Sequence, residues 1–205
     1  MPGPPVDVPS VGVGVVNPRG EGSAMPAEQV PQPSPSRLVD IARHAVVVGV
    51  SPGQPALVAL TAASLAGAVG ARLYAAYVDP SRFVVEEHPD GTVRHQPVDP
   101  DGVDDAWHDT ESALRALVAD ALADVPVSWD FRYLAGRADR GLTHLARAVD
   151  AAVIVVGTRA PGQGSRMREL LNGSLALQLA HHQHRPVLTV PLSVVDWKAR
   201  TPWDM

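Results

Sequence analysis

The sequence predicts an α/β fold: a doubly wound, open, parallel sheet of five strands in the order 3-2-1-4-5. Three observations carry this expectation. Short apolar, β-branched runs alternate with segments whose apolar residues recur at helical spacing, in the order β-α-β-α-β-α-β-α-β. The clearest runs are apolar at nearly every position, as strands covered on both faces are. Right-handed crossovers between parallel strands then favour an open, doubly wound sheet. With 205 residues, 45% of them hydrophobic, the chain has material for one buried core and a tail.

The elements follow in order. Residues 1–36 hold nine of the twenty prolines, five glycines and almost no large apolar side chains. Such a segment cannot bury enough surface to offset its ordering entropy, so it reads as a disordered tail. Gly12 and Gly14 lie within it, but no helix pattern follows them, which argues against a dinucleotide fingerprint. A domain spans 42–192, with a short tail at 193–205. Residues 44–50 form a first strand stopped by Ser51-Pro52-Gly53. Val58, Ala62, Leu65 and Val69 mark a helix over 56–69 that ends at Gly70. Residues 71–78 form a second strand, closed by Asp79-Pro80. Residues 79–103 are polar and rich in turn residues, and read as a long mobile connection with room for a short hairpin. Leu114, Leu117, Val118, Ala121 and Leu122 mark a helix over 104–124. The weaker alternation of 127–134 suggests an edge strand. Leu142, Leu145, Ala146 and Val149 mark another helix, and 152–156 is the most apolar strand. Leu175 and Leu179 mark a last helix, and Pro186 and Pro191 enclose a fifth strand at 187–190.

The chemistry is bounded by what is scarce. A net charge of −5 argues against non-specific nucleic-acid binding. The chain has no cysteine, hence no disulfide, no thiolate zinc site and no thiol nucleophile. The most apolar long stretch, 56–71, is alanine-rich and interrupted by Thr61, Ser64 and Gly67, so no membrane span is expected. The first residues lack the basic and leucine-rich regions of a secretory signal.

In a sheet of this order, ligands bind at the carboxyl ends of strands one and four, where the winding reverses. The segments arriving there are 50–53 and 157–174. In the latter, Gly157, Gly162 and Gly164 allow close backbone approach, and Arg159, Arg166 and Arg168 supply cationic donors. Asn172-Gly173-Ser174 opens a helix whose free N–H groups attract anions, and Ser174 adds a hydroxyl. Composition alone fits equally well a glycine-rich surface loop with solvated arginines.

These residues resemble the universal stress protein family. The residues that carry the resemblance are Gly157 after a strand, Gly173-Ser174 opening the last helix, Arg185-Pro186-Val187-Leu188 entering the last strand, and the opening run Val46-Val47-Val48-Gly49-Val50. Nucleotide-binding members carry Gly-x2-Gly-x9-Gly-Ser/Thr at this place. The resemblance covers residues 42–191. It implies a Rossmann-like cytoplasmic domain, often a homodimer, and in one branch ATP or another adenine nucleotide, with Mg2+ accompanying it. The implied nucleotide-binding residues are Val50, Ser51, Val78, Gly157, Thr158, Arg159, Gly162, Gly164, Gly173, Ser174 and Leu175. Two departures stand out. Gly157 and Gly173 are 16 apart, three more than in the motif, with Ala160 in place of the second glycine. Ser51 stands where nucleotide-binding members often have Asp, and it can hydrogen-bond without contributing charge.

Other groups read more plainly. His181 and His184 share a helix face suited to a metal, but histidine also suits a helix C-terminus, and no third ligand is evident. His44 and His144 read as structural. Asp79 either accepts ribose hydroxyls or starts an Asp-Pro turn. Asp99, Asp101, Asp104 and Asp105 lack calcium-loop spacing and read as capping and solvation. No nucleophile elbow or carboxylate pair is evident, so no catalytic residue is assigned. The expectation is a nucleotide-binding regulatory module, with a nucleotide-free dimeric scaffold and a slow ATP hydrolase as alternatives. The fifth strand is the expected homodimer edge, and neither nucleic acid nor membrane is an expected partner.

Overall fold

A computed structural model describes residues 34–99, 106–158 and 175–192. Its elements are β1 (Val46–Gly49), α1 (Leu57–Ala68), β2 (Leu73–Asp79), β3 (Arg82–Glu87), β4 (Val93–Pro97), α2 (Ala106–Ala121), β5 (Trp129–Ala135), α3 (Ala138–Ala148), β6 (Val153–Gly157), α4 (Leu175–His182) and β7 (Val187–Val190). The main sheet runs β5-β2-β1-β6-β7, every pair parallel. This is the predicted order 3-2-1-4-5 once the two hairpin strands are numbered.

Period-two geometry explains the unbroken apolar strands. Val46, Val48 and Val50 enter a core with Val58, Ala62 and Ala66 of α1 and with Leu114 and Val118 of α2. Val47 points the other way, among Leu142 and Leu145 of α3 and Leu179 of α4. The sheet is therefore the middle of three layers.

In α1 the buried stripe is Val58, Ala59, Ala62, Ala63 and Ala66. Leu65 and Val69, expected on that stripe, are only partly buried, while Leu57 and Leu60 are exposed. The helix is apolar on every side, so periodicity could not choose its inner face. It ends in a Schellman motif at Gly70 (φ +65°), with Ala71 N donating to Ala66 O at 2.8 Å. The same motif ends α3, with Ala151 N donating to Ala146 O, but there Asp150 holds the left-handed position at φ +47°.

Two expectations are refined. The connection over 79–103 does hold a hairpin, for which its turn residues left room: residues 82–97 pair antiparallel. Its turn is closed by Asp90, whose Oδ1 accepts from the Thr92 N and Oγ1, and by Gly91 at φ +83°. The hairpin packs on β5 and reaches α3, where His144 Nδ1 lies 3.1 Å from Glu87. At the other end, the expected tail includes an ordered 3-10 turn, Pro35–Arg37, capped by Ser34. Residues 1–33 and 193–205 lie outside the described residues. No helix among the described residues is long and apolar enough to cross a membrane.

Candidate functional site

The candidate site is the crevice at the carboxyl ends of β1 and β6. The connection leaving β1 enters α1 on one face of the sheet, whereas α4, which follows β6 in the chain, packs on the other. The winding therefore reverses between these two adjacent strands, and a gap opens above them.

Val50 follows β1 directly and is buried, with its N donating to Ala76 O at 2.8 Å. Ser51 is exposed at the rim, and its N donates to Gln54 Oε1 at 3.1 Å. Gln54 thereby folds its amide back over the crevice: a Cβ at Gly157 would lie 2.7 Å from Gln54 Nε2 and 3.0 Å from both Val58 and Leu192. Glycine is favoured at 157 because a Cβ would force these three side chains to shift. Gln54 was not among the residues expected from the sequence. Its only local signal is its position three residues after Ser51, across a proline-glycine turn.

Thr158 continues the rim. Its N donates to Val190 O at 2.8 Å and its Oγ1 accepts from Leu192 N at 2.8 Å, so the hydroxyl ties β6 to the exit of β7. Val78, next to last in β2, lies one strand away. Its methyls face α3, where a Cβ at Gly141 would lie 3.0 and 3.1 Å from them. Leu175 begins α4 and packs, half-buried, against the core on that face. Ser51, Gln54 and Gly157 are thus brought together, with Val50 and Thr158 beside them. Arg159, Gly162, Gly164, Gly173 and Ser174 lie outside the described residues, as do Arg166 and Arg168.

The rim continues over β2 and β5. Asp79 is an anchor there: Oδ1 accepts from the Ser81 N (2.8 Å) and Oγ (2.6 Å), and Oδ2 accepts from the Tyr133 hydroxyl. Burial alone would raise this carboxyl, but hydrogen bonds from Ser81 and Tyr133 and the charge of Arg82 outweigh it and hold Asp79 below the ordinary carboxylate range. Burial first, and then the same contact with Asp79, push the Tyr133 phenol far above its usual value. The Asp-Pro turn reading of Asp79 thus matches its contacts. Further along, Gly136 (φ +88°) donates its N to Asp79 O, and Arg137 meets Asp139 in a two-point contact of 3.0 and 2.8 Å. The carboxylate of that pair is buried and the guanidinium largely exposed, leaving a cation on the rim. The crevice thus brings together the Ser51 hydroxyl and the Gln54 amide, and the rim over β5 carries the Arg137 guanidinium.

The remaining candidates lie elsewhere. Among the described residues, no group of three or more His, Asp or Glu is placed to hold a metal. His44 Nδ1 lies 3.1 Å from Asp150. Asp101, Asp104 and Asp105 fall outside the described residues.

The model of the universal stress protein family matches residues 42–191. Similar solved structures include a universal stress protein from Archaeoglobus fulgidus, 18% identical with a TM-score of 0.52, covering 73% of this chain and 94% of that one. A universal stress protein in complex with cAMP is 22% identical with a TM-score of 0.51, covering 74% and 99%. Universal stress protein UspA from Lactobacillus plantarum is 19% identical with a TM-score of 0.51, covering 74% and 99%. At these identities the likeness establishes the fold. No curated protein matches the sequence.

Proposed function

This chain belongs to the universal stress protein family, and we propose that within it the protein is a regulatory module that holds ATP or a related adenine nucleotide across the ends of β1, β2 and β6. The observation that carries this reading is the crevice itself: Gly157 and the Ser51–Gln54 turn face one another where the sheet reverses. A similarly folded universal stress protein was captured with cAMP. In this reading Ser51 and Gln54 offer a hydroxyl and an amide to the sugar or phosphates, and Gly173 and Ser174 are the residues expected to serve the phosphates. Mg2+, when bound, offsets phosphate charge. Ser51 offers it no carboxylate, so the ion arrives with the nucleotide rather than on a site of its own. Nucleotide occupancy would then bias contacts with partners in a stress response in the cytoplasm.

The test is the thermal midpoint of the full chain with and without millimolar ATP and Mg2+. A ligand at a hundred times its Kd adds about 2.7 kcal/mol. An unchanged midpoint, with no nucleotide released on denaturation, would sink the reading. Gly173→Val is expected to abolish binding while the fold survives. Sustained phosphate release that disappears in Ser174→Ala would instead favour a slow hydrolase.

A second reading, a nucleotide-free homodimeric scaffold, is favoured by the β7 edge. Pro186 O and Val190 O accept from β6, so by the period of two Val187 and Thr189 direct their backbone groups outward. Leu188, 38% exposed, joins Leu60, Thr61 and Ser64 along an open groove of about 560 Å3 beside that edge.

A further inference from the structure

At the amino-terminal ends of the strands, opposite the crevice, the 3-10 turn and the segment after it meet the turn between α4 and β7. Between them lies a cavity of about 230 Å3 lined by Ser34, Arg37, Leu38, His184, Arg185 and Pro186. Its charge is lopsided. Arg185 is 8% exposed; Nε donates to Ala151 O at 2.6 Å, while Nη1 is buried without a hydrogen-bond partner among the described residues. The nearest carboxylate, Asp150, stands 3.7 Å from Nη2, is itself 65% exposed, and also faces His44 at 3.1 Å. Arg37 and Arg147 form no ion pair among the described residues. Asp40, on the same amino-terminal segment, turns Oδ1 to Ala42 N and does not line the cavity. Burial and the charges of Arg185, Arg37 and Arg147 push His184 below its ordinary range, and two of those arginines, Arg37 and Arg185, line the cavity with it. The carbonyls ending α4 offset part of this charge. A buried guanidinium with one distant, solvated counter-ion is under-compensated, and a compact oxyanion in the cavity it lines supplies the charge it lacks.

We propose that this cavity is a second ligand site, specific for a compact oxyanion such as a phosphate group, held by Arg37 and Arg185 with His184 beside it. The phosphate belongs either to free orthophosphate or to a small phosphomonoester; both present the same dianionic group. Asp150 competes with the ligand for Arg185, so the site is tuned by two residues acting in opposite directions.

The test uses the full chain, titrated with orthophosphate against chloride at matched ionic strength and read at the His184 ring resonances by NMR, which separates this cavity from the crevice. The expected result is a saturable shift of His184. Arg37→Gln weakens binding by about tenfold or more, one lost charge-assisted contact. Asp150→Asn, which keeps a residue tolerant of the left-handed backbone, tightens it. Both substitutions are at exposed positions, and circular dichroism confirms that each variant folds. Repeating the titration with glycerol phosphate identifies the source: tighter binding than orthophosphate points to a phosphomonoester, equal or weaker binding to the free ion. A response that does not saturate, or equal affinity in parent, Arg37→Gln and Asp150→Asn, overturns the proposal.

Discussion

Single residues at the sheet rim are held by close contacts, and their substitution has a calculable sign. At Gly157 an added Cβ meets Gln54, Val58 and Leu192 at once. Gln54 can swing away, but Val58 is core, so Gly157→Ala is expected to cost about 1–3 kcal/mol in urea unfolding. Tyr133→Phe takes the donor from Asp79 Oδ2 and is expected to cost about 1–3 kcal/mol at neutral pH. Its pH dependence follows from the two shifts. Asp79 is depressed in the folded state, so its contribution is present above the usual carboxylate range and is lost as pH falls below about 4. Tyr133 is raised, so its contribution is present below about pH 10 and is lost as pH rises beyond it. The parent should therefore lose stability at both ends, and Tyr133→Phe should flatten the alkaline limb; an identical alkaline limb would show that the phenol is not held as described. None of this pairing was legible locally, since Asp79 and Tyr133 are 54 residues apart and meet only because β2 and β5 are neighbours.

At the scale of elements, the strands of the main sheet were legible and the hairpin was only allowed for. Strands β1 and β6 announce themselves through β-branched runs covered on both faces. The hairpin has no such pattern. Its inward Arg82, only 6% exposed, is partnered by His95 at 2.7 Å and lies against the Trp107 ring from α2. A buried arginine reads as a surface residue until its distant partners are known. The hairpin's placement rests on Gly91, where a Cβ would stand 2.6 Å from Leu145 Cδ1 and 3.3 Å from the Ala148 Cβ, at a φ that disfavours side chains. Gly91→Ala is expected to cost about 1–3 kcal/mol, with faster amide exchange in β3 and β4 than in β1 or β6. Uniform acceleration through the sheet would show that the hairpin does not open separately.

At the scale of the whole molecule, the two edges of the sheet are treated differently. The hairpin packs against β5, whereas the outer backbone groups of β7 face no described strand. An open edge beside an apolar groove favours pairing with a second copy. Thr189→Pro removes an outward N–H without touching the bonds to β6, so it should leave the domain folded and shift it to monomer by light scattering. A parent that is monomeric at high concentration, or a variant that still dimerises, would count against β7 as the interface.

The sequence by itself determined the layered α/β architecture, the strand order and the location of the crevice. These depend on patterns that each segment carries (apolar runs, helical spacing, a glycine at a strand end) together with the handedness of the crossovers that join them. Only the tertiary structure decided that Gln54 lies over Gly157, that a hairpin packs on β5 while β7 is an edge among the described residues, and that Arg37 and Arg185 meet at one cavity. The physical reason is the same in each case. A side chain's tendency to be buried is local, but the partner that satisfies its charge or fills its space comes from a distant part of the chain.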